Sequence, residues 1–258
     1  MKVSGRIPRT ALVTGGGKRI GRAIALALAA DGWAVGVHYG RSRDEAESVA
    51  REIAAKGGRA VALAADLRAE AEVTALLPRV AEALGPVGCL VNSAAAFEND
   101  TVLGATRESW DRHLETNLRA PFVLIQEFAR ALPAAAEGAV INLLDQRVWS
   151  LTPYFISYTV AKSALWTLTQ SLALALAPRI RVNGIGPGPT LPSPRQSEEQ
   201  FRRQWEAMPL RRPTSPEEIA DAVRFILAAA AMTGQMIALD GGQHLGWAQP
   251  ARPPAFEE

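Results

Sequence analysis

Short apolar runs alternate with amphipathic stretches along almost the whole chain. Apolar runs fall at residues 11–13, 33–39, 60–65, 87–91, 139–144, 180–185 and 236–239. Between them, apolar positions recur with helical spacing at about 19–31, 45–56, 70–84, 108–131, 154–177 and 216–231. Gly32 and the Gly57-Gly58 pair close the first two helices, and Ser215 before Pro216 suits the start of the last. Strands alternating with helices predict one doubly wound parallel sheet of about seven strands, with helices on both faces. No repeat or linker divides the chain, so residues 1–258 read as a single domain. Residues 190–213 break the alternation with prolines and patches of helix former, as a lid or substrate loop does. The proline-rich tail 249–258 reads as an appendage that docks on a neighbouring subunit or stays mobile.

The first strand ends in Thr14-Gly15-Gly16-Gly17-Lys18-Arg19-Ile20-Gly21. A glycine-rich turn between strand and helix leaves bare N–H groups at a positive helix end, which is a phosphate cradle. Residues 9–100 therefore read as the dinucleotide-binding half of a Rossmann-type fold, with Gly15, Lys18, Arg19 and Ile20 at the cofactor. The strict G-x-G-x-x-G spacing fails, because position 20 is Ile. The second strand closes in His38-Tyr39-Gly40-Arg41-Ser42 where an NAD site would carry a carboxylate. Arg41 and Ser42 suit a 2′-phosphate, which makes NADPH/NADP the expected cofactor, with His38 also at the cofactor. Asp66, followed by Leu67, either bonds the adenine amino group or caps the next helix. Asn92-Ser93-Ala94-Ala95-Ala96-Phe97 brings small residues and one aromatic face to the end of the fourth strand.

Composition narrows the classes. Apolar residues make up 48% and the net charge is +2, with basic residues scattered. This suggests neither nucleic-acid nor membrane-surface binding. Cys89 is the sole cysteine, so no disulfide framework or cysteine metal site is expected, and a cytoplasmic setting fits. His38, His113 and His244 show no ligand spacing, so no metal is expected.

Asp145 stands where the fifth strand ends, and Tyr158 and Lys162 share one helix face four residues apart. Phenol, ammonium and carboxylate then meet at the carboxyl edge of the sheet. That set suits proton donation from a tyrosine whose pKa a nearby cation lowers. Asn117, mid-helix with Pro121 close behind, is expected to open a carbonyl that holds a water. Trp149 is expected to pack in the core, and the roles of Arg195 and Gln196 stay open.

Thr14 to Gly21, Asn92 to Ala95, Asn117, Tyr158 with Lys162, and Pro187-Gly188 in this order resemble the short-chain dehydrogenase/reductase family over nearly the whole chain. Two departures resemble its pteridine reductases: Arg19 replaces a turn glycine, and Asp145 replaces the serine thirteen before the tyrosine. The Arg19 turn is also similar to that of bacterial dihydromonapterin reductases. The resemblance implies reduction of a pterin or dihydropterin C=N bond by NADPH, with Tyr158 giving the proton and Asp145 orienting it or a water. Lys162 would bond the nicotinamide ribose, and Asn117 would hold a water leading from Lys162 to solvent. Asn92, Ala94, Pro187 and Gly188 would line the cofactor. Arg19, Ala95, Phe97, Asp145 and Tyr158 would meet the substrate, although Ala95 departs from a pterin-contacting serine. The alternatives are an NADPH carbonyl reductase of a ketone, quinone or 3-oxoacyl thioester, and a non-catalytic NADPH sensor. The family's habit of assembly, with the apolar helix after Lys162, implies a homotetramer.

Overall fold

The computed structural model describes residues 2–193 and 196–246; Arg195 and the tail 249–258 lie outside the described residues. Seven strands form one sheet in the order β3-β2-β1-β4-β5-β6-β7. These are β1 Thr10–Val13, β2 Ala34–Tyr39, β3 Ala60–Ala64, β4 Cys89–Asn92, β5 Gly138–Leu143, β6 Ile180–Pro187 and β7 Met236–Leu239. Every pairing is parallel, with Val13 opposite Val37 and Val91, and Asn92 opposite Asn142.

Period-two alternation sends each strand's apolar residues to both faces. Ala11, Val13, Val35, Val37, Val91 and Ile141 pack on one side, under helices α1 Arg19–Ala30 and α2 Arg43–Ala55 and the later helix Pro216–Ala228. Leu12, Leu90 and Val140 pack on the other, under α3 Glu70–Leu84 and the two helices that follow β4 and β5. The strand order reverses between β1 and β4. The crevice above their carboxyl ends is where open α/β sheets bind ligands.

The expected helix 108–131 is interrupted. α4 Arg107–Leu114 runs into a π-turn at Glu115–Arg119 before α5 Ala120–Ala131 begins. Ala120 donates to Glu115, five residues back, and Pro121 has no N–H for the Asn117 carbonyl. The next helix, α6 Ile156–Leu176, starts after Phe155, a non-glycine residue at φ 58°. Its outward Val160 and Leu174 are 42% and 83% exposed.

Residues 190–213 differ from the loop expected there. They contain helix α7 Glu198–Glu206, opened by a capping box in which Ser197 Oγ accepts from Gln200 N–H and the Gln200 side chain accepts from Ser197 N–H. Helix α8, Pro216–Ala228, is capped by Ser215 in the same way and stops three residues short of the expected 231. Trp149, expected in the core, is 44% exposed and rests against Trp166 and His244. No helix among the described residues is long and apolar enough to cross a membrane.

Candidate active site

The glycine turn is held from two sides. His38 is 2% exposed, so burial keeps its pKa low and its ring neutral. Its Nδ1 accepts from Gly15 N–H at 3.1 Å, which leaves the proton on Nε2 to donate to the Ala65 carbonyl at 3.0 Å. The sequence places His38 at the cofactor; both its ring nitrogens are spent on the turn and on the residue just past β3. From the other side, Thr14 Oγ1 accepts from Ser93 and Ala94 N–H at 2.9 and 3.0 Å. Gly15 has φ +64°, and a Cβ there would stand 3.1 Å from Ala94 Cα. Arg19 keeps φ +52°, the left-handed conformation a glycine would adopt freely.

Helix α1 begins without any side-chain cap, so its first-turn N–H groups face the crevice. The Arg41 guanidinium and the Ser42 hydroxyl have no hydrogen-bond or ion-pair partner among the described residues. Open N–H groups with a nearby guanidinium and hydroxyl match the donor set a phosphorylated dinucleotide needs. Other expected cofactor contacts are engaged elsewhere. Lys18 pairs with Glu45 of α2. Asp66 neither caps α3 nor is free: it accepts from Arg68 N, Nε and Nη2 at 3.0, 3.1 and 2.7 Å, which brings its pKa to about 2. The Leu67 side chain is buried in the core under α3. Asn92 Nδ2 donates to Asn142 Oδ1 at 2.8 Å, and Asn142 passes the bond on to Thr169. Asn92 Oδ1 is buried without a partner.

A cavity of about 980 Å³ opens over the carboxyl ends of β4, β5 and β6. Arg19, Ile20, Ala95, Phe97, Asp145, Tyr158, Lys162, Pro187 and Gly188 line it, together with Gln204 of α7. Gly15, His38, Arg41, Ser42, Asp66, Asn92 and Ala94 do not line it; they sit at or just past the carboxyl ends of β1, β2, β3 and β4. Arg19 closes one side by donating to the Leu191 and Pro192 carbonyls at 3.1 and 2.9 Å.

Asp145 is the hub. Its Oδ2 accepts from Tyr158 Oη–H at 2.9 Å and from Arg147 Nη1 at 3.1 Å. Its Oδ1 accepts from Arg147 N–H at 2.8 Å. Both oxygens thus act as acceptors, as an ionised carboxylate requires. Burial, and then this neighbouring charge, push the Tyr158 pKa well above its ordinary value. That reverses the expected lowering by Lys162. The Lys162 ammonium donates to the Leu143 carbonyl at 2.6 Å and lies 5.8 Å from the Tyr158 ring centre. Burial brings its own pKa to about 8.

The Asn117 backbone carbonyl lacks the Pro121 N–H, and its side chain is used elsewhere. Its side chain donates to the Ala96 carbonyl at 2.9 Å and accepts from Ala96 N–H at 2.8 Å. It pins the loop after β4 and leaves only its backbone carbonyl for a water. Sequence reasoning missed two site residues. Arg147 lies 5.6 and 5.0 Å from the ring centres of Phe97 and Phe155, with Nε buried and unpaired. Phe155 stacks on Phe97 at 4.6 Å and 5°. A basic residue two after Asp145 was the available signal for the first; nothing local marks the second.

Comparison with known proteins agrees with this architecture. The family model described as enoyl-(acyl carrier protein) reductase matches residues 16–244. The chain belongs to the short-chain dehydrogenase/reductase family of oxidoreductases. The 3-oxoacyl-[acyl-carrier-protein] reductase FabG of Staphylococcus epidermidis is 34% identical, covering 92% of this chain and 99% of its own. Among solved structures, FolM alternative dihydrofolate reductase 1 from Brucella canis, complexed with NADP, is 46% identical with a TM-score of 0.92, covering 96% of this chain and 99% of its own. The Brucella suis FolM, also in complex with NADP, is 47% identical with a TM-score of 0.91, covering 95% and 98%.

Proposed function

We propose that this chain is an NADPH-dependent reductase of a C=N bond in a dihydropterin or pterin, with Tyr158 as proton donor. The observation that carries the reading is the 2.9 Å bond from the Tyr158 hydroxyl to Asp145. For Tyr158 to protonate a substrate, its O–H must turn away from Asp145. A buried carboxylate that loses a donor is costly unless another donor arrives. A pterin brings N–H and amino donors to Asp145 together with a ring nitrogen that takes the tyrosine proton. A ketone brings an acceptor alone. Phe97, 41% exposed beside the cavity and stacked on Phe155, offers aromatic surface to a flat ring, and the FolM neighbours at 46–47% identity support the same substrate class.

The nicotinamide cofactor supplies the hydride. The residues of this chain do the rest. The glycine turn and the open start of α1 would hold the diphosphate, and Arg41 with Ser42 would hold the 2′-phosphate. Lys162 would bond the ribose, and Asp145, held by Arg147, would orient the tyrosine or the substrate. The NADP-bound Brucella relatives support this cofactor. Turnover of dihydrobiopterin, dihydromonapterin and dihydrofolate beside ketones and quinones, followed by NADPH absorbance, tests the reading. Reduction of ketones alone would overturn it. That outcome is the second reading, a carbonyl or 3-oxoacyl reductase, which the FabG relatives favour.

Two further outcomes are expected. Charge-assisted hydrogen bonds contribute about 1.5–3 kcal/mol, so Arg41→Ala will raise the KM for NADPH by roughly ten- to a hundredfold and leave that for NADH little changed. An equal change for both cofactors would place Arg41 outside the 2′-phosphate site. Lys162 carries its charge below about pH 8 and loses it above. The free-enzyme kcat/KM will therefore fall on the alkaline side of that value, while the raised Tyr158 stays protonated. A profile flat to about pH 10, the ordinary range of a free tyrosine or lysine, would remove the Lys162 ammonium from the reaction.

A further inference from the structure

Three buried polar side chains lie behind the site, and none of them lines the cavity. His113 on α4 and Ser157 in the first turn of α6 are fully buried, and Asp100 of the loop after β4 is 6% exposed. A buried imidazole must satisfy both nitrogens. His113 Nε2 accepts from the Glu98 backbone N–H at 3.1 Å, so the proton sits on Nδ1. Nδ1–H donates to Ser157 Oγ at 2.6 Å, and Ser157 Oγ–H in turn donates to Asp100 Oδ2.

The same loop caps the catalytic helix. α6 has no side-chain cap of its own. Asp100 Oδ1 accepts from Ser157 N–H at 3.1 Å, and the Asp100 carbonyl accepts from Phe155 N–H at 2.9 Å. Asn99 Oδ1 accepts from Phe155 N–H at 3.2 Å. Loop 95–100 thus serves two ends at once: it carries Phe97, and it holds the turn that presents Tyr158. Phe97 packs edge-on to Tyr158 at 4.8 Å, and the His113 ring packs edge-on to Tyr158 at 5.9 Å.

We infer that His113 is a positioning residue which, through Ser157 and Asp100, fixes where the Phe97 ring stands relative to the Tyr158 hydroxyl. It governs how a flat substrate ring is held against the proton donor without touching that ring. The inference rests on the proposed function only for the choice of substrate. It involves no proton relay, because both imidazole nitrogens and the Ser157 hydroxyl are directed into the protein.

His113→Leu and Ser157→Ala each break the link. Steady-state kinetics with a dihydropterin should show KM raised about tenfold, the scale of a lost aromatic stack, with kcat reduced by less. NADPH affinity, read by fluorescence titration, should stay unchanged. The double variant should be no worse than the worse single one, since both cut one connection. His113→Asn, which keeps a donor near the Nδ1 position, should recover part of the KM. An unchanged KM in folded Ser157→Ala would overturn the inference. So would a fall in kcat alone, the sign of a smaller active fraction. Ser157→Ala decides the matter if His113→Leu does not fold. A wild type that reduces only ketones would overturn the proposed function instead, and the same KM comparison with the ketone would then test His113.

Discussion

Tyr158→Phe will lower kcat for a dihydropterin by about 10²–10⁴-fold, the usual share of a positioned general acid. The neighbourhood survives this substitution. The phenyl ring left in place of the phenol would keep the edge-on packing against Phe97, which stands 4.8 Å away. Asp145 would lose one donor and keep the Arg147 N–H at 2.8 Å and the Arg147 guanidinium at 3.1 Å. Asp145 keeps these two donors, so losing the third lowers stability without unfolding the chain, and NADPH affinity should hold. Steady-state NADPH oxidation, with cofactor titration by fluorescence, checks both halves. Near-full turnover with every accepted substrate would remove Tyr158 from the chemistry.

Asp145→Ser will separate the two substrate classes. Truncating one partner of a buried, hydrogen-bonded charge pair costs about 2–5 kcal/mol. Dihydropterin kcat/KM should therefore fall by roughly two to three orders of magnitude. A serine hydroxyl can donate to a carbonyl oxygen where an ionised carboxylate cannot, so ketone reduction should hold or rise. Arg147 loses its counter-ion in this variant, and Asp145→Asn, which keeps shape and acceptor, serves as the control. Equal losses on both substrates would point to Arg147 disturbing the pocket. A gain on both would overturn the role given to Asp145.

The sheet was legible because strand signals are local. The apolar runs around Ala11–Val13 and Ala34–Val37 are written in consecutive residues, and they fill both faces of the core, Val13 and Val35 on one and Leu12 and Ala34 on the other. The glycine turn and the Tyr158–Lys162 spacing were legible for the same reason. What escaped was set by contacts across the chain. Asn117 reads as a break in its own helix, yet its partner is Ala96, twenty-one residues earlier. Lys162 shares a helix face with Tyr158 and so points to it in the sequence, but its ammonium goes to Leu143 on β5. Arg147 instead donates to the neighbouring Asp145 carboxylate. Helix α7 was hidden by prolines on either side, although Ser197 and Gln200 carry the spacing of a capping box.

The clamp of His38 and Thr14 on the glycine turn has a thermodynamic consequence. A turn already fixed by side chains from β2 and from the residue just past β1 loses little chain entropy when a dinucleotide arrives, because most of that ordering happened on folding. Stability and cofactor affinity are then two readings of one local order. Loosening the turn lowers the melting temperature of the free protein and weakens its dinucleotide together. Saturating dinucleotide shifts the folding equilibrium back by mass action, by about 2.7 kcal/mol at a hundred times its Kd.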